Sequence, residues 1–177
     1  MSIIVTERMK LRPFREGDEE SMFRNWTSDE EVARYCRWYR HHEIKSTRFL
    51  LHSYLKDIEN GFEYRWAITL RDGSDDEVVG AIDVVDTRDG GSTAELGYVL
   101  ARALWNKGYM TEAVRAVIAE LFGCGFKKVI ARHHTDNPSS GRVMEKCGMR
   151  RAGMEKAERK FDSGEFCDVL VYEIEKP

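Results

Sequence analysis

Proline, cysteine and long apolar runs are what this sequence has least of. Three prolines in 177 residues, with no tract rich in Pro, Gly or Ser and no internal repeat, leave no place for a linker. A single domain over residues 1–177 is therefore expected. The four cysteines, Cys36, Cys124, Cys147 and Cys167, stand far apart in the chain. They form no Cys-x-x-Cys pair and no Cys/His group at zinc spacing, so neither a disulfide framework nor a metal site is expected. No apolar run approaches the ~18 residues of a membrane span. The opening MSIIVTERMKLR has three consecutive apolar residues, too few for a signal peptide. Nor does one sign of charge prevail: 28 Lys and Arg against 31 Asp and Glu give a net charge of −3 and a pI near 6.0. That balance gives no ground to expect nucleic acid or a membrane surface as a partner. Isolated thiols and seven methionines suit the reducing cytoplasm, the expected compartment.

What is present suffices for a core: 42% of the residues are hydrophobic, while 33% are charged and can solvate the surface. The alternation in KLRPF (10–14) predicts a short edge strand that Pro13 ends. Residues 15–39 predict two short helices, the first capped by Asp18 and the second by a capping box of Ser28 and Glu31. Ile44, Phe49, Leu50, Tyr54, Leu55 and Ile58 recur at helical spacing over 43–60. The period then changes. EYRWAITL (63–70), EVVGAIDVVD (77–86) and TAELGYVL (93–100) predict three strands joined by the turns RDGSDD and TRDGGS, and such short links favour antiparallel pairing. An amphipathic helix over 110–125 sets Ala113, Val114, Val117, Ile118 and Leu121 on one face, with Gly123 or Gly125 as its stop. A strand over 127–134, a helix over 137–148 ending at Gly148, and strands over 149–160 and 166–174 around a DSG turn (162–164) complete the chain. The order β-α-α-α-β-β-β-α-β-α-β-β lacks the strict alternation of a doubly wound nucleotide fold. It predicts an α/β fold with a mixed, mostly antiparallel sheet of about seven strands flanked by helices.

ALWNKGYMTEA (103–113) places Gly108 between Lys107 and Tyr109, where a helical pattern begins. No G-x-x-x-x-G-K-[ST] string occurs, and nothing between Gly97 and Gly108 fits G-x-G-x-x-G, so both nucleotide loops are excluded. Two readings stay open. The first N–H groups of the helix lack internal partners and carry the positive end of its dipole, so they would hold a diphosphate that Gly108 lets approach closely. Alternatively, Thr111 or Asn106 merely caps the helix and Gly108 eases a tight turn.

Four pieces, taken in order, resemble the GCN5-related N-acetyltransferase (GNAT) superfamily, and within it the bacterial branch that includes ribosomal-protein N-terminal acetyltransferases. AELGYVL (94–100) is similar to the family's fourth strand, and LWNKGYMTEA (104–113) to its pyrophosphate loop, Gln/Arg-x-x-Gly-x-Gly/Ala. DNPSSGRVMEKCGMRRAG (136–153) is similar to the helix and strand beside the thiol end of the cofactor. MKLRPFREGDEESMFRNWTSDEEV (9–32) is similar to the branch's N-terminal strand and helices. The chain departs from the loop pattern with Trp105 for Gln/Arg, Asn106 for the frequent first glycine and Met110 for the last Gly/Ala. Met110 must then turn its side chain into the core.

The resemblance implies an acyltransferase that passes acetyl directly from acetyl-CoA to a primary amine, with a protein N-terminal α-amine as the expected acceptor. An aminoglycoside, polyamine or amino acid as acceptor is the alternative, as is a catalytically idle acyl-CoA-binding module. The family allows a monomer or homodimer. It implies pantetheine along Val99, Leu100 and Ala101, and diphosphate on Asn106, Lys107, Gly108, Tyr109, Met110 and Thr111. Asn137 and Ser140 then lie against the pantetheine and thiol.

The chemistry needs a neutral amine, a polarised carbonyl and a proton for the departing thiolate. Glu95 is the candidate base and an acceptor contact; its alternative is a salt-bridged or solvated strand carboxylate. A backbone N–H near Leu100 would polarise the carbonyl. Ser140 is the candidate proton donor, or else an early helix hydroxyl. Tyr98 and Tyr109 read as packing aromatics and Cys147 as a core residue. Alternation points His133 and His134 to opposite faces, against a metal site, and suggests solvated or lightly paired rings. The run RWYRHH (37–42) offers Trp38, Tyr39 and His41 as an acceptor rim, or is a solvated helix connection.

Overall fold

The structure is a computed structural model that describes residues 2–62, 64–72, 77–159 and 164–177. Among these residues eight strands share one sheet. They are β1 (Ile4–Val5), β2 (Met9–Arg12), β3 (Arg65–Leu70), β4 (Val78–Arg88), β5 (Thr93–Leu100), β6 (Lys128–His134), β7 (Arg150–Arg159) and β8 (Phe166–Glu175). The spatial order is β1-β2-β3-β4-β5-β6-β8-β7. Every pairing is antiparallel except β5 with β6. The mixed, mostly antiparallel sheet matches the sequence reading, with β1 as an additional strand. Pro13 follows β2 directly, as its missing N–H requires. Parts of the predicted RDGSDD and DSG turns, 73–76 and 162–163, lie outside the described residues, as does the end of the 149–160 strand.

Helices cover both faces. On one face lie α1 (Asp18–Met22), which continues as a π-helical turn Phe23–Thr27, then α2 (Glu30–Ala33) and α3 (Ile44–Glu59). Phe14, Met22, Trp26, Val32 and Leu51 from this layer pack on Ala67, Val78 and Ala81 of the sheet. On the other face lie α4 (Tyr109–Gly123) and α5 (Pro138–Lys146). Met110, Ala113, Val114, Val117, Ile118 and Leu121 of α4 are buried against Met9, Ile68, Ile82 and Leu96. Their i, i+3, i+4 spacing is the stripe seen in the sequence, and each large side chain contributes about 1.5–3 kcal/mol by leaving water.

Two predicted caps are replaced by tertiary and neighbouring partners. The N-cap of α1 is Gly17, and the Asp18 carboxylate instead binds Arg12 twice, at 2.7 and 2.9 Å, and accepts the Arg15 N–H. Asp29, not Ser28, caps α2 by accepting from Glu31 and Val32 N–H, while the Ser28 hydroxyl donates to the Phe23 carbonyl. Gly148 ends α5 with φ 84°, as a left-handed terminator does. His133 and His134 are buried rather than solvated.

Candidate active site

Strands β5 and β6 stay paired only from Thr93–Lys128 to Leu96–Ala131. Beyond that point β5 continues to Leu100 against β4, and β6 continues to His134 against β8. The sheet opens between them into a cleft of about 600 Å³. Alternation along β5 decides which backbone groups face it. Ala101 N–H donates to Val79 O at 2.8 Å, and Lys128 N–H to Ser92 O at 3.3 Å. Odd-numbered peptide groups of β5 therefore face β4, and even-numbered ones face β6. Tyr98 and Leu100 turn their backbone into the cleft, whereas Val99 and Ala101, expected to pair with pantetheine, spend theirs on β4. The Leu100 carbonyl already accepts the Trp105 indole N–H at 2.8 Å.

Helix α4 starts at the rim of this cleft. Its N-cap is Gly108, at φ 82° and ψ −3°, which has no side chain to cap the helix. Neither Thr111 nor Asn106 is the N-cap, while Gly108 does make the tight left-handed turn that the alternative reading gave it. Asn106 is left-handed as well, at φ 60°. Left-handed turns of this kind bring successive N–H groups to one side, and at a helix N-terminus they form a seat for an anion. Arg8 braces the loop from β2's side: it donates to the Lys107 carbonyl at 3.0 Å and to Glu112 at 2.7 Å, and lies 4.1 Å from the Tyr109 ring centroid. Met110 is 7% exposed and packs into the core, leaving the loop clear.

Across the cleft, Asn137 caps α5 by accepting the Ser140 N–H. The Ser140 hydroxyl lies 2.8 Å from the Tyr98 phenol, which also donates to the Ser140 carbonyl at 3.0 Å. Burial pushes the Tyr98 phenol's pKa up, so it stays protonated at neutral pH. Ser140 and Tyr98 thus form one proton-bearing pair on the α4–α5 face.

On the opposite face the side chain of Glu95 is 2% exposed and meets three guanidinium groups. Arg88 is 2.7 Å away, Arg132 2.8 Å and Arg37 3.3 Å. Arg132 also reaches Glu155 at 2.7 Å. Burial pushes the Glu95 carboxyl above its ordinary value, while Arg88 pulls it down. A second carboxylate on this face, Asp83, faces Arg65 at 3.3 Å.

Residues 8–150 match the acetyltransferase (GNAT) domain family. The chain belongs to the GNAT family of acetyltransferases. It is 27% identical, over 99% of its own length and 97% of the relative's, to the uncharacterised N-acetyltransferase YoaA of Bacillus subtilis (strain 168). A GNAT-family acetyltransferase structure from Bacillus anthracis superposes with a TM-score of 0.83 at 29% identity, over 98% of each chain. The ribosomal L7/L12 alpha-N-protein acetyltransferase RimL, solved with coenzyme A, shares the fold with a TM-score of 0.85 at 17% identity, over 98% of each chain. This GNAT chain is therefore an acyltransferase that transfers acetyl groups.

The fold brings most of the residues singled out from the sequence to one place. Trp38, Glu95, Val99, Leu100, Asn106, Gly108, Tyr109, Met110, Thr111, Asn137 and Ser140 all line the cleft. Four others do not. Ala101 is buried, Lys107 touches Arg8 only through its carbonyl, Tyr39 is 60% exposed, and His41 pairs with the Thr47 hydroxyl at 2.8 Å. Sequence reading misses Arg8, Arg88, Arg132, Asp83 and the Tyr98–Ser140 bond, and holds Arg37 only as part of the run RWYRHH, without its contact to Glu95. Of those missed, only Tyr98 carries a sequence signal, its position inside AELGYVL. Among the described residues no three His, Cys, Asp or Glu side chains stand close enough to hold a metal, and no helix is long and apolar enough to cross a membrane.

Proposed function

We propose that the chain, as one acetyltransferase domain, moves acetyl from acetyl-CoA directly to the α-amine of a protein N-terminus. The observation that carries this reading is the parting of β5 and β6, with an anion seat at the α4 N-terminus on one side and an acceptor groove on the other. The residues fit acetyl-CoA. First-turn amides of α4 and the left-handed Asn106 and Gly108 take the diphosphate. The Leu100 N–H and the Tyr98 carbonyl on the free edge of β5 pair with the pantetheine amides as a sheet edge pairs with a peptide, the Leu100 carbonyl being held by Trp105. Tyr98 N–H, on that edge, is the donor for the carbonyl oxygen as it becomes an oxyanion. Ser140, held by Tyr98, supplies the proton to the departing thiolate. The acid base chemistry is completed by a carboxylate of the acceptor face, where Glu95 stands.

Charge favours a peptide over a polyamine. The most buried acid of the groove, Glu95, is surrounded by Arg37, Arg88 and Arg132. That acid is therefore already compensated, unlike the clustered free carboxylates that suit a polycation. Tyr35, Arg37 and Trp38 give its rim an aromatic and hydrogen-bonding surface suited to a main chain. Four free cysteines are consistent with a cytoplasmic enzyme. The test is mass spectrometry after incubating the protein and acetyl-CoA with peptides of varied N-termini, spermidine and an aminoglycoside. Acetylation confined to peptide α-amines is expected. Acetylation of the small amines alone would transfer the reading to a small-molecule acceptor.

A further inference from the structure

Two carboxylates, not one, stand on the acceptor face of β4 and β5. The register pairs Asp83 with Gly97, and the side chains of Glu95 and Val99, like the position a Cβ of Gly97 would take, lie on the face that α1–α3 cover. Tyr98 N–H opens into the cleft one residue from Gly97 and three from Glu95. Asp83 is thus the carboxylate level with the point where a carbonyl is polarised. We propose that Asp83 receives the acceptor amine and takes its proton, while Glu95 is a positioning residue that organises Arg37, Arg88 and Arg132.

Geometry separates the two acids. Glu95 is 2% exposed and three guanidinium groups lie within 3.3 Å of its oxygens. A carboxylate accepts about four hydrogen bonds, and these contacts fill most of that capacity. Asp83 is 21% exposed and lines the cleft. Its guanidinium neighbour Arg65 stands 3.3 Å away and is shared with Asp57, which it meets more closely, at 2.8 Å. The same Arg65 lies over the Tyr54 ring at 4.0 Å, which fixes its direction. Asp83 keeps acceptor capacity towards the cleft.

Gly97 is what exposes it. A Cβ at Gly97 would lie 3.3 Å from Asp83 Oδ1 and 2.7 Å from Val85 Cγ1. Any other residue there places atoms between Asp83 and the open edge of β5. Tyr54 and Trp38 wall the same corner from the helical layer. Burial pushes the Asp83 carboxyl above its ordinary value against the pull of Arg65, which makes it a better proton acceptor.

The step balances. The ammonium of the acceptor gives one proton to the Asp83 carboxylate and becomes a neutral amine. The amine nitrogen bonds to the thioester carbonyl carbon, the C–S bond breaks, and the sulfur leaves with the bond pair. The thiolate takes the proton of Ser140, which is restored by the second amine proton, and Asp83 returns its own to water.

This assignment rests on the amine-acetylation reading, and the experiment keeps the two apart. Acetyl transfer to the best peptide acceptor is followed against pH for the wild type, Asp83→Asn, Glu95→Gln and Gly97→Ala, with CoA affinity measured by calorimetry. Asp83→Asn is expected to lower kcat/KM for the amine about 10²-fold or more, to abolish the acidic limb of the pH profile and to leave CoA affinity unchanged. Gly97→Ala, accommodated by the half-exposed Val85, should lower kcat/KM for the amine alone. Glu95→Gln should retain the acidic limb. Unchanged kcat/KM and an intact limb in Asp83→Asn, or loss of the limb in Glu95→Gln instead, would overturn the role of Asp83 and leave amine acetylation standing. A wild type that acetylates no amine would overturn both.

Discussion

At the scale of single residues, the site depends on a few side chains whose environments were built by distant parts of the chain. Ser140→Ala removes the hydroxyl bonded to Tyr98 but keeps the backbone N–H that Asn137 caps. It should lower kcat about 10²-fold with little change in KM for acetyl-CoA, because a proton donor acts in the transition state. Steady-state kinetics check this, and a rise in KM at constant kcat would contradict it. Gly108 sits at φ 82°, where an L-residue costs about 1–2 kcal/mol. Gly108→Ala relaxes the loop away from the anion seat, and CoA affinity by calorimetry should fall about 5- to 10-fold. Asp83 also has a signature in stability. Its folded-state pKa is raised by burial, so the folded protein binds the proton more tightly than the unfolded chain. Stability attributable to Asp83 is present at acid pH and is lost as pH rises from about 4, the ordinary aspartate value, through the raised one. Asp83→Asn removes that loss. Its thermal midpoint relative to wild type should therefore climb between acid and neutral pH, and a constant offset would contradict the assignment.

At the scale of elements, what the sequence shows and hides follows from the range of the interactions. Helix α4 is legible because Met110, Ala113, Val114, Val117, Ile118 and Leu121 report one buried face through local spacing alone. Strand β5 is equally legible from TAELGYVL. Strand β1 is not, since two residues, Ile4 and Val5, show no alternation and are ordered by pairing with Leu11 and Lys10. The Asp18 cap is misread because Arg12 claims that carboxylate in a buried bidentate pair. Breaking the pair with Asp18→Ala should cost about 3–5 kcal/mol in denaturant unfolding, by stranding a buried guanidinium. The parting of β5 and β6 has no periodic signal at all: it appears only once β8 is seen to follow β6 past Ala131. The guanidinium shell of Glu95 is hidden for the same reason, coming from a loop after α2, the end of β4 and the middle of β6. Helix α5 adds a close fit, as a Cβ at Gly141 would stand 2.6 Å from His133 Nε2. Gly141→Ala should push α5 outward, cost about 1–3 kcal/mol and lower kcat by separating Ser140 from Tyr98. A wild-type kcat in that variant would show that the distance between α5 and β5 is not critical.

At the scale of the whole molecule, one sheet divides two tasks between its faces. The α4–α5 face carries the anion seat and the Tyr98–Ser140 pair, and the α1–α3 face carries Glu95 and Asp83 with their arginines. In the proposed reaction the donor and the acceptor approach each other where β5 and β6 part, and binding of both is a precondition for chemistry. The family was legible from four short motifs, whereas the groove walled by Tyr35, Arg37 and Trp38 is assembled from segments distant in the chain and has no local signature. Transfer to a peptide α-amine is measured most directly by the release of free thiol from acetyl-CoA, followed continuously with and without a peptide bearing a free α-amine. Release should depend on the peptide, saturate with its concentration and disappear when its N-terminus is blocked. Release indifferent to the peptide, or equal with the blocked one, would contradict transfer to the α-amine.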